Sequence, residues 1–213
     1  MTETSPVATI SKVTALQQKL NEDERFAVMA SQGYPLPLVD IRTVGDEGIA
    51  DWDGKTVGEI QVHGPWITGS YHDLPASVDS FTADGWLRTG DVASIDPLGF
   101  VRITDRTKDL IKSGGEWISS VDLENAIMGH PAVQEAAVIA VPHPKWAERP
   151  LAVIVLKAGE QATEADIKSY LAQKFVKWMV PDAYVFADAI PRTSTGKFLK
   201  TALREQYQNW SWE

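Results

Sequence analysis

Asp105-Arg106-Thr107-Lys108 marks a change of rhythm in the chain. Upstream, short runs with every second residue apolar follow one another between turn residues. Downstream, helical and extended patterns take turns. Ser119 stands three residues before Asp122 and predicts a capped helix over residues 121–128, stopped by His130-Pro131. Residues 133–141 and 151–156 read as strands, with Pro142-His143-Pro144-Lys145 starting the loop between them. Thr163 and Asp166 form a second capping pair, behind which Ile167, Leu171 and Phe175 share one helical face. Residues 184–186 read as a short strand, and Ser194 or Thr195 is expected to cap a last helix through Leu199, Leu203 and Tyr207. The order α, β, β, α, β, α predicts a compact α+β domain with helices on a small sheet.

Before the change, residues 14–32 read as a polar surface helix closed by Gly33, with Pro35 and Pro37 preventing its resumption. Val39, Ile41 and Thr43 alternate with polar neighbours, as Ile60 and Val62 do with Glu59, Gln61 and His63. Asp53-Gly54, Asp84-Gly85 and Pro97-Leu98-Gly99 are turn signals, and 86–88 and 100–103 look like further strands. A β-rich portion over 1–105 and an α+β domain over 106–213 are the expected divisions.

Composition narrows the function classes. The 213 residues are 44% hydrophobic and 23% charged, as in ordinary globular proteins, and the net charge of -9 argues against a general affinity for nucleic acid. There is no cysteine, which excludes disulfides, thiolate metal sites and a cysteine nucleophile, and fits a reducing cytoplasm. No apolar run approaches the roughly 20 residues of a membrane-spanning helix. His63, His72, His130 and His143 lack metal-ligand spacing; His130 and His143 precede proline and are expected in loops. Trp210-Ser211-Trp212 is read as a packing element.

Four segments carry candidate chemistry. In Ser113-Gly114-Gly115-Glu116 the glycines would allow a ligand close to the backbone, but they suit any tight turn, and the turn is the simpler reading. In Thr89-Gly90-Asp91 the carboxylate could accept from two vicinal hydroxyls, as on a ribose; an Asx-turn is the plainer alternative. In Pro191-Arg192-Thr193-Ser194-Thr195-Gly196-Lys197, Lys197 could reach a phosphate or carboxylate as a mobile point charge. The spacing is not that of a phosphate-binding P-loop. A solvated lysine at a helix start is the plainer alternative, though that position is mildly unfavourable for a cation, by roughly 0.3–1 kcal/mol. Finally Arg106, Lys108 and Lys112, followed by Trp117, either hold phosphates beside a stacking ring or pair with Asp105 and Asp109 over a core indole. Both readings stand open.

Taken in order, these segments resemble the motifs of adenylate-forming enzymes, the superfamily of acyl-CoA synthetases, firefly luciferase and peptide-synthetase adenylation domains. Met1-Thr2-Glu3-Thr4-Ser5-Pro6 is similar to the end of the family's G-x-T-E motif, and Gly85-Trp86-Leu87-Arg88-Thr89-Gly90-Asp91 to its ribose-binding motif. Asp105 to Lys112 resembles its hinge, and Pro191 to Lys200 its catalytic-lysine motif. Ser113 to Ser119, His143-Pro144-Lys145-Trp146 and Lys177 to Phe186 look most like the medium- and long-chain fatty acyl-CoA ligase branch.

The resemblance implies a C-terminal portion of an ATP-dependent fatty acid–CoA ligase acting through an acyl-adenylate. It implies that Lys197 is catalytic, that Glu3 holds Mg²⁺, and that Thr2 bonds the α-phosphate. It implies that Asp91 takes the ribose, with Arg106, Lys108, Lys112 and Trp117 bordering the nucleotide. Lys108 falls at the hinge, and Gly114, Gly115 and Glu116 fall along the CoA path. Residues 1–105 would then end a large adenylation domain, and 106–213 would be a mobile lid. The family's phosphate loop has no counterpart here, so the chain is expected to be inactive alone. Residues 1–105 are expected to expose apolar surface and to self-associate. Two other readings are a non-catalytic lid module serving a separate adenylation domain, and part of an acyl-AMP ligase with a carrier-protein acceptor.

Overall fold

The computed structural model describes residues 1–72 and 79–212. It forms two compact units, Met1–Lys108 and Asp109–Glu213.

In the first unit β1 (Thr9–Ile10) pairs with β2 (Tyr34–Pro35). The main sheet holds β3 (Asp40–Gly45), β4 (Gly48–Ile49), β5 (Gly58–His63), β6 (Leu87–Ile95) and β7 (Val101–Arg106). All its pairings are antiparallel, in the order β4-β3-β5-β6-β7. Alternation places Ile41, Ile60, Val62, Leu87, Ala93, Ile95 and Val101 in one apolar cluster. Gly54, Gly85 and Gly99 sit in the turns at φ 74, 86 and 85°.

The surface helix expected over 14–32 is shorter and broken. A 3-10 turn, Ala15–Gln17, comes first, and α1 covers only Glu22–Met29. The reason is local: Asn21 and Glu24 form a reciprocal capping box that starts the helix afresh. No residue of α1 is buried, so packing does not lengthen it. Val7, Ile10, Phe26, Met29, Leu38, Ile49 and Trp52 are exposed in this unit.

The second unit is built on β8 (Ile111–Ser113), β9 (Glu116–Ile118), β10 (Val133–His143), β11 (Ala147–Leu156) and β12 (Ala183–Phe186). The order is β10-β11-β8-β9, with β12 parallel to β11. Around it lie α2 (Ser120–Met128), α3 (Glu164–Ala172) and α4 (Lys200–Gln206). Ser119 caps α2 by accepting from the Asp122 amide at 3.1 Å, and Thr163 with Asp166 caps α3 in both directions. The sheet is covered on both faces. Val133, Ala136, Val138 and Ile154 join Leu123, Ile127, Ile167 and Leu171 on one side. Ala137, Ile139, Val141, Leu151 and Val153 meet Leu203 on the other, where Trp210 and Trp212 also pack.

Three expectations change here. The first is the β8–β9 hairpin, which the α, β, β, α, β, α order omitted. The second is the loop expected from Pro142: β10 runs on through Pro142 and His143, and only Pro144 to Trp146 separate it from β11. His143 is therefore a strand residue whose Nδ1 accepts from the amides of Lys145 and Trp146 and closes the turn. The third is the last helix. It begins at Lys200 with Leu199 at its N-cap position and no side-chain cap, so neither Ser194 nor Thr195 caps it. Among the described residues no helix is long and apolar enough to cross a membrane.

Candidate functional site

Candidate residues of the first unit gather around a bulge in β6. Gly90 takes φ 72°, which costs a glycine little, and the register of β6 against β5 shifts there, while against β7 it shifts between Val92 and Ala93. The Thr89 hydroxyl donates to Ile60 O at 2.9 Å and accepts from the Asp91 amide at 3.1 Å. The local turn bond is thus made by Thr89, and the Asp91 carboxylate faces Arg106, 3.4 Å from its Nε. Burial raises the Asp91 pKa above the ordinary aspartate value, and the Arg106 charge offsets this only in part. Asp105 is buried and accepts from the Arg106 amide at 2.7 Å.

Thr2 and Glu3 lie in a 3-10 turn, Thr2–Thr4. A backbone hydrogen bond first, and then the Tyr71 hydroxyl, which donates to Oε1 at 2.9 Å, lower the Glu3 pKa below the ordinary glutamate value. Thr2, Glu3, Tyr71, Gly90 and Arg106 line one open cleft of about 600 Å³. Asp91 lines a second cavity, and the two cavities share Met1 and Thr89 in their linings. Lys108 follows β7 in an exposed turn.

The sign of the Asp91 shift gives a prediction. A carboxyl whose folded pKa is raised weakens folding when ionised, above that pKa, and the penalty disappears as pH falls to the unfolded value. Asp91→Asn should therefore melt higher than the parent at pH 7, with a gap that closes toward about pH 4. A thermal melt at both pH values checks this; a variant that melts lower at pH 7 would contradict it.

In the second unit Ser113-Gly114-Gly115-Glu116 closes the β8–β9 hairpin. Gly114 and Gly115 have φ 62 and 89°, two successive positive values of the kind that a two-residue hairpin turn requires. Gly114 also lies against Trp146: its amide donates to Trp146 O at 2.9 Å, and a Cβ there would sit 2.9 Å from the indole. Lys112 and Trp117 are register partners, and the Lys112 ammonium lies 4.1 Å from the ring centroid. The Trp117 indole is only half-buried. Lys112 pairs with it as a neighbour across the hairpin, and its amide donates to Glu148 at 2.9 Å.

A cavity of about 610 Å³ opens beside this hairpin, lined by Gly114, Glu116, Trp146, Arg149, Lys177 and Trp178 among others. The sequence reading did not assign Trp146, Arg149, Lys177 or Trp178 to a site. The available signal was the repeated cation–tryptophan pair, Lys145-Trp146 and Lys177-Trp178. Arg149 is buried and ties the walls together. Its guanidinium donates to Asp182, to Ser113 Oγ at 2.9 Å, to Trp178 O at 2.6 Å and to Val180 O at 3.0 Å.

Lys197 stands on an exposed reverse turn that precedes α4. Thr193 N donates to Lys197 O at 2.8 Å, Gly196 N to Thr193 O at 2.9 Å and Leu199 N to Pro191 O at 2.7 Å. Arg192 and Phe198 bridge across its base. Gly196 takes φ 84° at the end of the turn. The Thr193 hydroxyl accepts from the Lys197 amide at 3.2 Å and lies 2.9 Å from the Thr195 hydroxyl. Lys197 thus belongs to a small hairpin loop, and the helix-dipole consideration does not apply to it.

Residues 122–197 match the family model described as the AMP-binding enzyme C-terminal domain. The chain is 56% identical over 213 residues to a long-chain-fatty-acid–CoA ligase of Thermus thermophilus, covering 99% of the chain and 39% of that relative. It is 45% identical over 209 residues to a medium-chain-fatty-acid–CoA ligase of Ectopseudomonas oleovorans, covering 97% of the chain and 38% of the relative. Among solved structures, o-succinylbenzoate CoA synthetase from Bacillus subtilis, in complex with the acyl-adenylate intermediate OSB-AMP, matches with TM-score 0.76 at 32% identity. That match covers 87% of this chain and 37% of the other. ATP-bound MatB from Rhodopseudomonas palustris matches with TM-score 0.74 at 34% identity, covering 84% and 36%. The chain therefore spans about two fifths of the length of these relatives. The chain is thus similar over almost all its length to fatty acid–CoA ligases, and its residues 122–197 are similar to the AMP-binding enzyme C-terminal domain.

Proposed function

We propose that the complete polypeptide is an ATP-dependent fatty acid–CoA ligase to which this chain contributes an adenylating lysine. The observation that carries the reading is Lys197, an exposed ammonium on a hydrogen-bonded turn, within a sequence so close to a long-chain ligase. In the first half-reaction a carboxylate oxygen of the fatty acid attacks the α-phosphorus of ATP, the new O–P bond forms, and pyrophosphate leaves. Two anions meet in that step, and Lys197 lowers its barrier by neutralising the oxygens that approach each other. In the second, the CoA thiol gives up its proton to solvent, its sulfur attacks the acyl carbon, a C–S bond forms, the acyl C–O bond breaks, and AMP leaves with that oxygen.

The other residues are assigned by their chemistry. Asp91 accepts from the ribose hydroxyls beside Arg106, and Thr2 bonds the α-phosphate. Glu3, its pKa lowered by its hydrogen bonds, is a hard oxygen donor of the kind that binds Mg²⁺ together with substrate phosphates. Mg²⁺, when bound, supplies charge neutralisation at the phosphates. Lys108 serves as the hinge position and, with Lys112 and Trp117, borders the nucleotide. Gly114, Gly115 and Glu116 lie along the CoA path, and the adjoining Trp146, Trp178 and Lys177 offer ring faces and a cation suited to an adenine and its phosphates. Self-association of the isolated chain through Phe26, Met29 and Leu38 belongs to the same proposal.

The test is product identity. Fatty acid, ATP, Mg²⁺ and CoA incubated with the complete polypeptide should yield acyl-CoA and AMP in equal amounts. Release of ADP, or AMP formation that does not depend on fatty acid, would refute the assignment.

A further inference from the structure

Resting on the reading of Lys197 above, we propose that Arg192 and Lys200 are positioning residues for it. Two ion pairs hold the ends of the turn 193–197 against the second unit's helix and sheet, and so fix where the Lys197 ammonium is presented.

At the first end, Arg192 donates to Glu135 Oε1 on β10 at 2.7 Å and to the Gly196 carbonyl inside the turn, with its guanidinium 4.6 Å from the Phe198 ring centroid. One side chain therefore links the sheet, the turn glycine and the residue after Lys197. At the second end, Lys200 is the first residue of α4, and its ammonium lies 2.6 Å from Glu124 Oε1 and 2.7 Å from Ser120 Oγ on α2. Both side chains of the Lys200–Glu124 pair are almost buried, at 12% and 10% exposure. The same Glu124 oxygen accepts from the Val138 amide of β10 at 2.7 Å, so it joins α2, the sheet and the start of α4. Phe198, between the two anchors, packs on the cluster that holds Ala137, Ile139 and Leu203.

A lysine side chain has a flexible four-carbon stem, so only its backbone can be fixed in advance. A misplacement of 1 Å at a reacting group can reduce rate by about two orders of magnitude. The exposed Arg192–Glu135 pair adds little to folding, because solvent screens it. Its effect should instead appear in the step that uses Lys197.

The experiment uses the complete polypeptide with Glu135→Gln, Lys200→Met, Lys200→Arg and Lys197→Ala, each checked for folding by circular dichroism. Expected are a fall of at least fivefold in kcat for fatty acid-dependent ATP–pyrophosphate exchange in Glu135→Gln and at least tenfold in Lys200→Met. KM for ATP and the rate of thioester formation from supplied acyl-adenylate should stay within twofold, Lys200→Arg should recover most of the loss, and exchange of the Lys197 amide with solvent should quicken. If Lys200→Met does not fold, Glu135→Gln alone decides. Wild-type exchange in the folded variants while Lys197→Ala is impaired would overturn the positioning role and leave the Lys197 reading intact. Equal losses in both half-reactions would also overturn it, since they mark a general structural defect. Wild-type exchange in Lys197→Ala would remove the reading on which the proposal rests.

Discussion

Replacing Arg149 by methionine should lower the stability of the second unit by about 3 kcal/mol. Arg149 is 5% exposed, and its guanidinium bonds Asp182, the buried Ser113 hydroxyl and the carbonyls of Trp178 and Val180. Methionine keeps much of the apolar stem and leaves those acceptors without their donor. Each buried orphan costs about 1–3 kcal/mol. The Asp182 side chain is 43% exposed, so its stranded charge returns to water, which keeps the total at the lower end of the range for a broken buried pair. For a unit of this size the loss corresponds to a fall in Tm of roughly 15 °C. Lysine at the same position retains the charge but cannot present a fork of donors, so Arg149→Lys should fall between the two. Urea unfolding followed by tryptophan fluorescence measures both variants. A loss below about 1 kcal/mol in Arg149→Met would mean that the four acceptors find other donors.

The same substitution separates stability from binding. Arg149, Trp146 and Trp178 line one cavity, so Arg149→Met should also weaken CoA binding at temperatures where the unit remains folded. Adenylation does not involve this cavity in the proposed scheme and should be affected less.

Where the structure was legible in the sequence, the signals were local or covered on both sides. The runs 133–141 and 151–156 are almost continuously apolar because successive residues face two different clusters: Ala136 and Val138 one, Ala137 and Ile139 the other. The caps at Ser119 and Thr163 need only residues three apart, and both formed. The β8–β9 hairpin escaped because each strand has three residues, and only Ile111 and Ile118 combine apolar character with complete burial. Its two glycines allow a ligand contact but read more simply as a turn; the backbone shows a turn whose first glycine also touches Trp146. Ser194 and Thr195 looked like caps because hydroxyls before a helical pattern usually are. Here Thr195 pairs with Thr193, the Thr193 hydroxyl accepts from the Lys197 amide, and the chain needs several more residues to reach the helix. The cavity between Trp146 and Trp178 depends on residues distant in sequence, and no short-range pattern announces it. The buried Arg149 that organises it was equally hidden, since arginine is ordinarily a surface residue.

Lys197→Ala is expected to have the largest catalytic effect. Lys197 is exposed and its turn is held by backbone and threonine hydrogen bonds, so the variant should fold with a stability change within about 0.5 kcal/mol. Loss of a single positioned charge stabiliser typically costs about 10²–10³ in rate, or roughly 3–4 kcal/mol in the barrier. That loss should fall on adenylation, where carboxylate and phosphate oxygens are forced together. Attack of the CoA sulfur on an acyl-adenylate already formed makes no such demand on Lys197 and should slow by no more than a few-fold. The decisive measurement is fatty acid-dependent exchange of labelled pyrophosphate into ATP by the complete polypeptide, wild type against Lys197→Ala. A drop of about two to three orders of magnitude, with thioester formation from supplied acyl-adenylate preserved, is the expected result. Exchange at the wild-type rate in a folded Lys197→Ala variant would contradict it.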